Sequence, residues 1–150
     1  MEIFGVPLHP LVVHAAVVLV PLAALGTLIV AFWPQALRRF GWVLTFLSAG
    51  GLVGAILARE SGEELFESMG EEASSTLDRH MTLGNWVFVP TLVMTVALLA
   101  MMLLTWRRQA DERPGWLYWV SAVVATLAAV ASLVLVIMVG HSGATAVWTE

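Results

Sequence analysis

Four histidines are the side chains in this sequence best suited to chemistry: His9 and His14 in VPLHPLVVHA, His80 in LDRHMTLG and His141 in VGHSGA. A neutral imidazole offers a lone pair to a metal ion or a haem iron, or accepts a proton. Within an apolar stretch such a ring is costly unless something binds it or water reaches it. Glu60 adds a carboxylate, and Arg59 and Arg79 add two guanidinium groups, close in sequence to apolar blocks. Cysteine is absent, which excludes disulfides, thiolate metal sites, iron–sulfur ligation and a CxxCH haem attachment.

The elements that position these groups are read from hydropathy. Of 150 residues, 59% are hydrophobic and only 12% are charged, where soluble domains carry roughly 25% charge. Four apolar blocks, approximately 10–33, 40–58, 82–106 and 116–140, each approach the roughly 20 residues needed to cross a bilayer. The expected architecture is all-α, one four-transmembrane-helix domain over residues 1–150, with an outer loop at 59–80. The start MEIFGVPLHP lacks a basic segment, so no cleavable signal peptide is expected. Lysine is absent and the seven arginines are scattered, which excludes a nucleic-acid footprint.

Arg38 and Arg39 lie between the first two blocks, and Arg107, Arg108 and Arg113 between the last two. The 59–80 stretch instead carries Glu60, Glu63, Glu64, Glu67, Glu71, Glu72 and Asp78. The positive-inside rule therefore predicts cytoplasmic arginine loops, with both termini and the acidic stretch outside a bacterial plasma (inner) membrane. All four histidines then fall at the outer side. Pro10 is a good first helical residue, and Ser75 with Asp78 forms a potential capping box. These starts put His14 and His80 each about one turn inside, roughly 6 Å along their helices at 1.5 Å per residue. His9, five residues from His14, falls about 140° away around the helix and is expected at the rim of a site.

A faint repeat suggests two tandem helical hairpins. Pro21 precedes Arg38-Arg39 as Pro90 precedes Arg107-Arg108, Gly41-Trp42 resembles Gly115-Trp116, and Glu60-Ser61-Gly62 resembles His141-Ser142-Gly143. Gly62 and Gly143 are read as helix C-caps, and Glu60 becomes the counterpart of His141. Each helix then offers one ligand near the outer face: His14, Glu60, His80 and His141, as facing helices do in four-helix bundles. Gly50, Gly54 and Ala58, and the alanines of the fourth block, are read as packing positions. Met94, Met101 and Met102 are read as lipid-facing or packing residues. Most of the seven tryptophans flank the blocks as an interfacial belt. SGEELFESMGEEASS, with Ser61 and Glu64 as a capping box, is read as an amphipathic lid on the membrane surface or a solvated loop.

HPLVVHA near the start, ARESGEEL after the second block, LDRHMTLGNW before the third and GHSGATAVW at the end resemble the DUF2231 family of bacterial membrane proteins. The resemblance covers essentially the whole chain. His9, Pro10, His14, His80, Gly140, His141 and Gly143 match its HPxxxH and GHxG elements, whereas Ala15-Ala16 replace the aromatic and proline of many relatives. The family's function is unknown. Its association with cytochrome and Rieske-type modules implies redox work, as an analogy only.

Three readings follow. A b-type haem would take His14 and His80 as axial ligands, with His141 as substitute, His9 at the rim, and Arg59 and Arg79 on the propionates. It would exchange electrons with quinol or a periplasmic redox protein. A single transition-metal ion (Zn, Cu or Fe) would take His14, His80, His141 and Glu60. A cofactor-free accessory or assembly protein would satisfy the same histidines with water and helix ends. No strong catalytic signature is present, so catalytic residues stay unassigned. The lipid bilayer is the common partner of all three readings.

Overall fold

A computed structural model of the chain describes residues 2–3, 6–69, 75–106 and 113–148. Two two-residue strands, β1 (Glu2–Ile3) and β2 (Val6–Pro7), pair antiparallel ahead of four helices. These are α1 (Leu8–Val30), α2 (Pro34–Met69), α3 (Ser75–Thr105) and α4 (Trp116–Trp148). All four are long and apolar enough to cross a membrane. They form a bundle in which α1 packs on α2 and α3 on α4 most extensively, with α2–α3 and α1–α4 seams joining the two hairpins. α1 and α3 barely touch and face each other across the diagonal.

Local chemistry explains the helix starts. Pro34 opens α2, where its missing N–H costs nothing, and the Trp33 carbonyl accepts from Leu37 N–H at 3.0 Å. Pro10 sits in the first turn of α1, where its missing N–H is equally harmless. α3 begins at Ser75, but that side chain lies outside the described residues, as do Arg107, Arg108, Glu71 and Glu72.

The expected outer loop at 59–80 is instead mostly helix. α2 continues through Arg59 and the glutamates to Met69, and α3 starts at Ser75. At 36 residues, α2 is about 54 Å long at 1.5 Å per residue, well beyond a roughly 30 Å hydrocarbon core. The acidic segment is therefore a projecting helix end and not a lid lying flat. Ser61 is no N-cap, because its hydroxyl donates back to Leu57 O at 2.7 Å within the helix. Arg59 and Glu63 form an i,i+4 ion pair at 3.1 Å that supports continuation. Gly62 and Gly143 are likewise helix-interior residues, not C-caps, since α4 runs past His141 to Trp148.

Burial reveals the repeat more sharply than residue identity. Buried α1 positions Ala16, Val20, Thr27 and Val30 each have a buried α3 counterpart 71 residues later: Val87, Thr91, Leu98 and Met101. Between α2 and α4 the offset is 81, pairing Leu37 with Tyr118, Leu44 with Ala125, Ala55 with Val136 and Ser61 with Ser142. This register retains Glu60-Ser61-Gly62 against His141-Ser142-Gly143. It separates Pro21 from Pro90 and Gly41 from Gly115, whose similarity is not structural equivalence.

The hairpins are held by close backbone approach. A Cβ at Gly54 would lie 3.1 Å from Ala16 N, and one at Gly51 would lie 2.9 Å from Val20 Cγ2 and 3.1 Å from its N. Small residues serve this role in lipid, where burial of apolar surface gives no drive toward association. Alanines 122, 125, 128 and 129 and Ser132 are buried on α4, and Met94, Met101 and Met102 are core residues, not lipid-facing ones. Tyr118 donates its hydroxyl to Ala31 O at 3.1 Å, tying α4 to the end of α1. Trp33, Trp106 and Trp116 are exposed near the Arg38–Arg39 end, and Trp86 is exposed toward the other.

Gly54→Leu is expected to cost about 1–3 kcal/mol by overpacking against α1, read as an earlier midpoint in SDS titration. Leu127→Ala, on the exposed face of α4, is expected to stay within roughly 0.5 kcal/mol of the parent.

Candidate functional site

His9 and His80 occupy equivalent places in the two hairpins. His9 Nδ1 lies 3.0 Å from Ala58 O and 3.2 Å from Ser61 Oγ on α2. His80 Nδ1 lies 3.1 Å from Val139 O and 3.2 Å from Ser142 Oγ on α4. A carbonyl can only accept, so Nδ1 carries the proton in both rings. Each serine hydroxyl directs its own hydrogen to a helix carbonyl, Leu57 O for Ser61 and Val139 O for Ser142, leaving Oγ to accept from the ring. Gly62 and Gly143 make room: a Cβ there would meet His9 Cε1 at 2.9 Å and His80 Cε1 at 3.0 Å. This contact, not helix capping, is what requires glycine at both sites.

The tautomer has a chemical consequence. With Nδ1–H donated to a backbone carbonyl, Nε2 keeps its lone pair, the arrangement by which proteins orient a ligating histidine. Neither Nε2 is a buried atom lacking a partner. Both imidazoles line one cavity of about 70 Å³ between the four helices. Its walls are otherwise mainly apolar, including Ala16, Ala55, Val87 and Val136, with Asn85 and Arg59 as further polar members. Arg59 carries its guanidinium 5.3 Å from the Phe88 ring centroid and pairs through Nε with Glu63.

Other sequence candidates lie elsewhere. His14 is exposed on α1 and donates Nδ1–H to Pro10 O on its own helix. By the 71-residue register its counterpart is Asn85, so His9, not His14, stands opposite His80. The expected pairing of His14 with His80 rested on matching depth, which the helix starts at Leu8 and Ser75 largely preserve; what separates the two is rotation, since His14 faces outward and His80 lines the cavity. Glu60, Arg79 and His141 are exposed and do not line the cavity. Among the described residues no group of three or more histidine, aspartate or glutamate side chains is placed to hold a metal ion. The proposed set His14, His80, His141 and Glu60 is therefore not assembled: 60 and 141 project from the outward faces of α2 and α4, one residue from the buried Ser61 and Ser142.

Sequence reasoning missed Asn85, Ser61 and Ser142 as polar members of this region. The signal was present in SG at 61–62 and 142–143, where serine and glycine recur side by side in both hairpins.

No curated protein and no solved structure matches this chain. A family model described as "Predicted membrane protein (DUF2231)" matches residues 5–150. Both histidine clasps lie inside that match, so the four-helix membrane chain described above belongs to the DUF2231 family.

Proposed function

We propose that this protein is a membrane b-type haem protein whose axial ligands are His9 and His80. One observation carries the reading: two imidazoles on diagonally opposed helices line one cavity, each with Nδ1–H held by a carbonyl and Nε2 left as the lone-pair atom. Haem iron is served by two axial imidazoles. Structural zinc sites ask for four protein ligands and catalytic ones for three, and the described residues offer no such group. Bound haem supplies one-electron chemistry. The chain's own residues hold the two rings, fix their tautomer through Ala58 O and Val139 O, and surround the site with apolar walls. Electron exchange with quinol or an extracytoplasmic redox protein suits a site at the end of the bundle bearing both chain termini.

Two helix-bonded imidazoles also have a purely structural use, since each pins its own hairpin. Such bonds contribute about 0.6–2 kcal/mol in membranes. The size of the cavity favours a second reading. About 70 Å³ is well below the several hundred Å³ of a typical cofactor pocket, and it suits a metal ion with water beside two imidazoles.

The protein purified in mild detergent from a haem-replete host is expected to show a sharp α-band on dithionite reduction. His9→Ala and His80→Ala are each expected to lose or shift that band, and His14→Ala to retain it. A spectrum unchanged in both of the first two variants would remove this axial pair. A featureless wild-type spectrum with near-stoichiometric copper, zinc or iron would select the metal reading instead. Because a ligating Nε2 must be unprotonated, occupancy is expected to fall as pH is lowered, for haem and metal alike.

The orientation proposed for the bundle is the inner membrane with both termini outside. Its support is the placement of Arg38 and Arg39 at the start of α2 and Arg113 just before α4, at one end of the bundle. Alkaline phosphatase fused after Glu150 is expected to be active in a bacterial host, and a fluorescent protein requiring the cytoplasm to be dark.

A further inference from the structure

We propose that the cavity binds one monovalent copper ion through Nε2 of His9, Nε2 of His80 and the Met81 thioether. The inference rests on the metal reading above and names its ion. The same two nitrogens serve haem in the first reading, so one site holds copper or haem and never both.

Gly62 of α2 locates the sulfur. A Cβ built on this glycine would lie 2.9 Å from His9 Cε1 and 3.5 Å from Met81 Sδ. The imidazole of α1 and the thioether of α3 therefore flank one point of α2. Met81 follows His80 directly in sequence, and both line the cavity together with His9. All three side chains are half-buried. The sulfur also breaks the repeat: the counterpart of Met81, 71 residues earlier, is Pro10, whose side chain has no donor atom. The two rings are thus related by the repeat, while the third ligand belongs to one hairpin alone. Each ring is already set for ligation, because Nδ1–H is held by Ala58 O or Val139 O and the lone pair stays on Nε2. Nearly one turn along α3 from Met81, Gly84 keeps the cavity open, since a Cβ there would meet nothing within 4 Å.

Donor type and charge together select the ion. Imidazole suits zinc, copper, iron and nickel, whereas a thioether favours soft ions, and monovalent copper satisfies both. Among the described residues the cavity wall supplies no carboxylate and no thiolate. Every donor is neutral, and the one charged wall residue, Arg59, is a cation whose Nε pairs with Glu63 at 3.1 Å. The cost of taking an ion out of water rises with the square of its charge. Zn²⁺, Fe²⁺ or Cu²⁺ would keep its full double charge among neutral donors and apolar walls, beside a guanidinium. Cu⁺ carries a single charge, and its filled d shell imposes no geometry on its ligands. A cavity of about 70 Å³ accommodates such an ion with few ligands.

The test titrates metal-free protein in mild detergent. Cu(I) is added anaerobically against bicinchoninate, a chromophoric Cu(I) chelator, and Zn(II) separately against a chromophoric zinc chelator. One Cu(I) per chain is expected, bound more tightly than Zn(II). His9→Ala and His80→Ala are each expected to weaken Cu(I) binding by roughly hundredfold. Met81→Leu nearly conserves volume, so its midpoint in SDS titration is expected to match the parent's. That variant is expected to lose Cu(I) affinity by roughly tenfold while Zn(II) binding is unchanged. It is also expected to remove a sulfur scatterer from the copper X-ray absorption spectrum. Unchanged Cu(I) affinity in Met81→Leu, with no sulfur around copper in the parent, would overturn the thioether ligand. Zn(II) bound as tightly as Cu(I) would overturn the choice of ion and leave the metal reading standing. A parent that binds neither ion, or that carries a haem band abolished in both histidine variants, would overturn the metal reading and this site with it.

Discussion

In hydrocarbon a polar hydrogen has no water to turn to, and this constraint organises the bundle more than any other. Every buried side-chain nitrogen or oxygen among the described residues has a partner. Thr27, Thr45, Thr91 and Thr105 all donate to the carbonyl four residues back in their own helix. Ser48 and Thr95 share a hydrogen bond at 2.6 Å across α2 and α3. His9 and His80 obey the same rule, but their partners sit on the adjacent helix. Satisfying an imidazole N–H thereby joins two helices, and the accepting carbonyl decides which ring nitrogen stays open.

Glycine makes that arrangement possible. An imidazole can reach a helix carbonyl only where the intervening side chain is missing, and Gly62 and Gly143 remove it at equivalent points of the two hairpins. Gly51 and Gly54 act similarly further along α2, letting the backbone of α1 approach closely. These residues carry structure by absence. Gly140 is different in kind, because no neighbour occupies the space beside it. The same residue type thus serves contact at four sites and leaves open space at Gly140, a distinction invisible in composition.

Much of the fold was legible in the sequence because bilayer thickness imposes length and hydropathy together. Four apolar blocks, their approximate bounds, and the pairing of helices into hairpins follow from those terms. The helix ends were less legible. Glu63, Glu64 and Glu67 read as part of a separate amphipathic lid or a solvated loop, yet they extend α2, where the Arg59–Glu63 pair and good helix formers favour continuation. The repeat was visible in Ser61-Gly62 and Ser142-Gly143 but misaligned at Pro21 and Gly41. Matching identities weigh any shared residue equally, whereas burial records which side chains face the axis.

The sequence by itself determined that this is a four-helix membrane chain of the DUF2231 family with its histidines gathered toward one end. Hydropathy sums over many residues, so an error at any one position leaves that conclusion intact. Only the tertiary structure decided that His9 and not His14 faces the cavity with His80, and that Glu60 and His141 turn away. Rotation about a helix axis shifts by about 100° per residue. Depth along a helix therefore says nothing of which way a ring points, and packing against the neighbouring helices is what sets that angle.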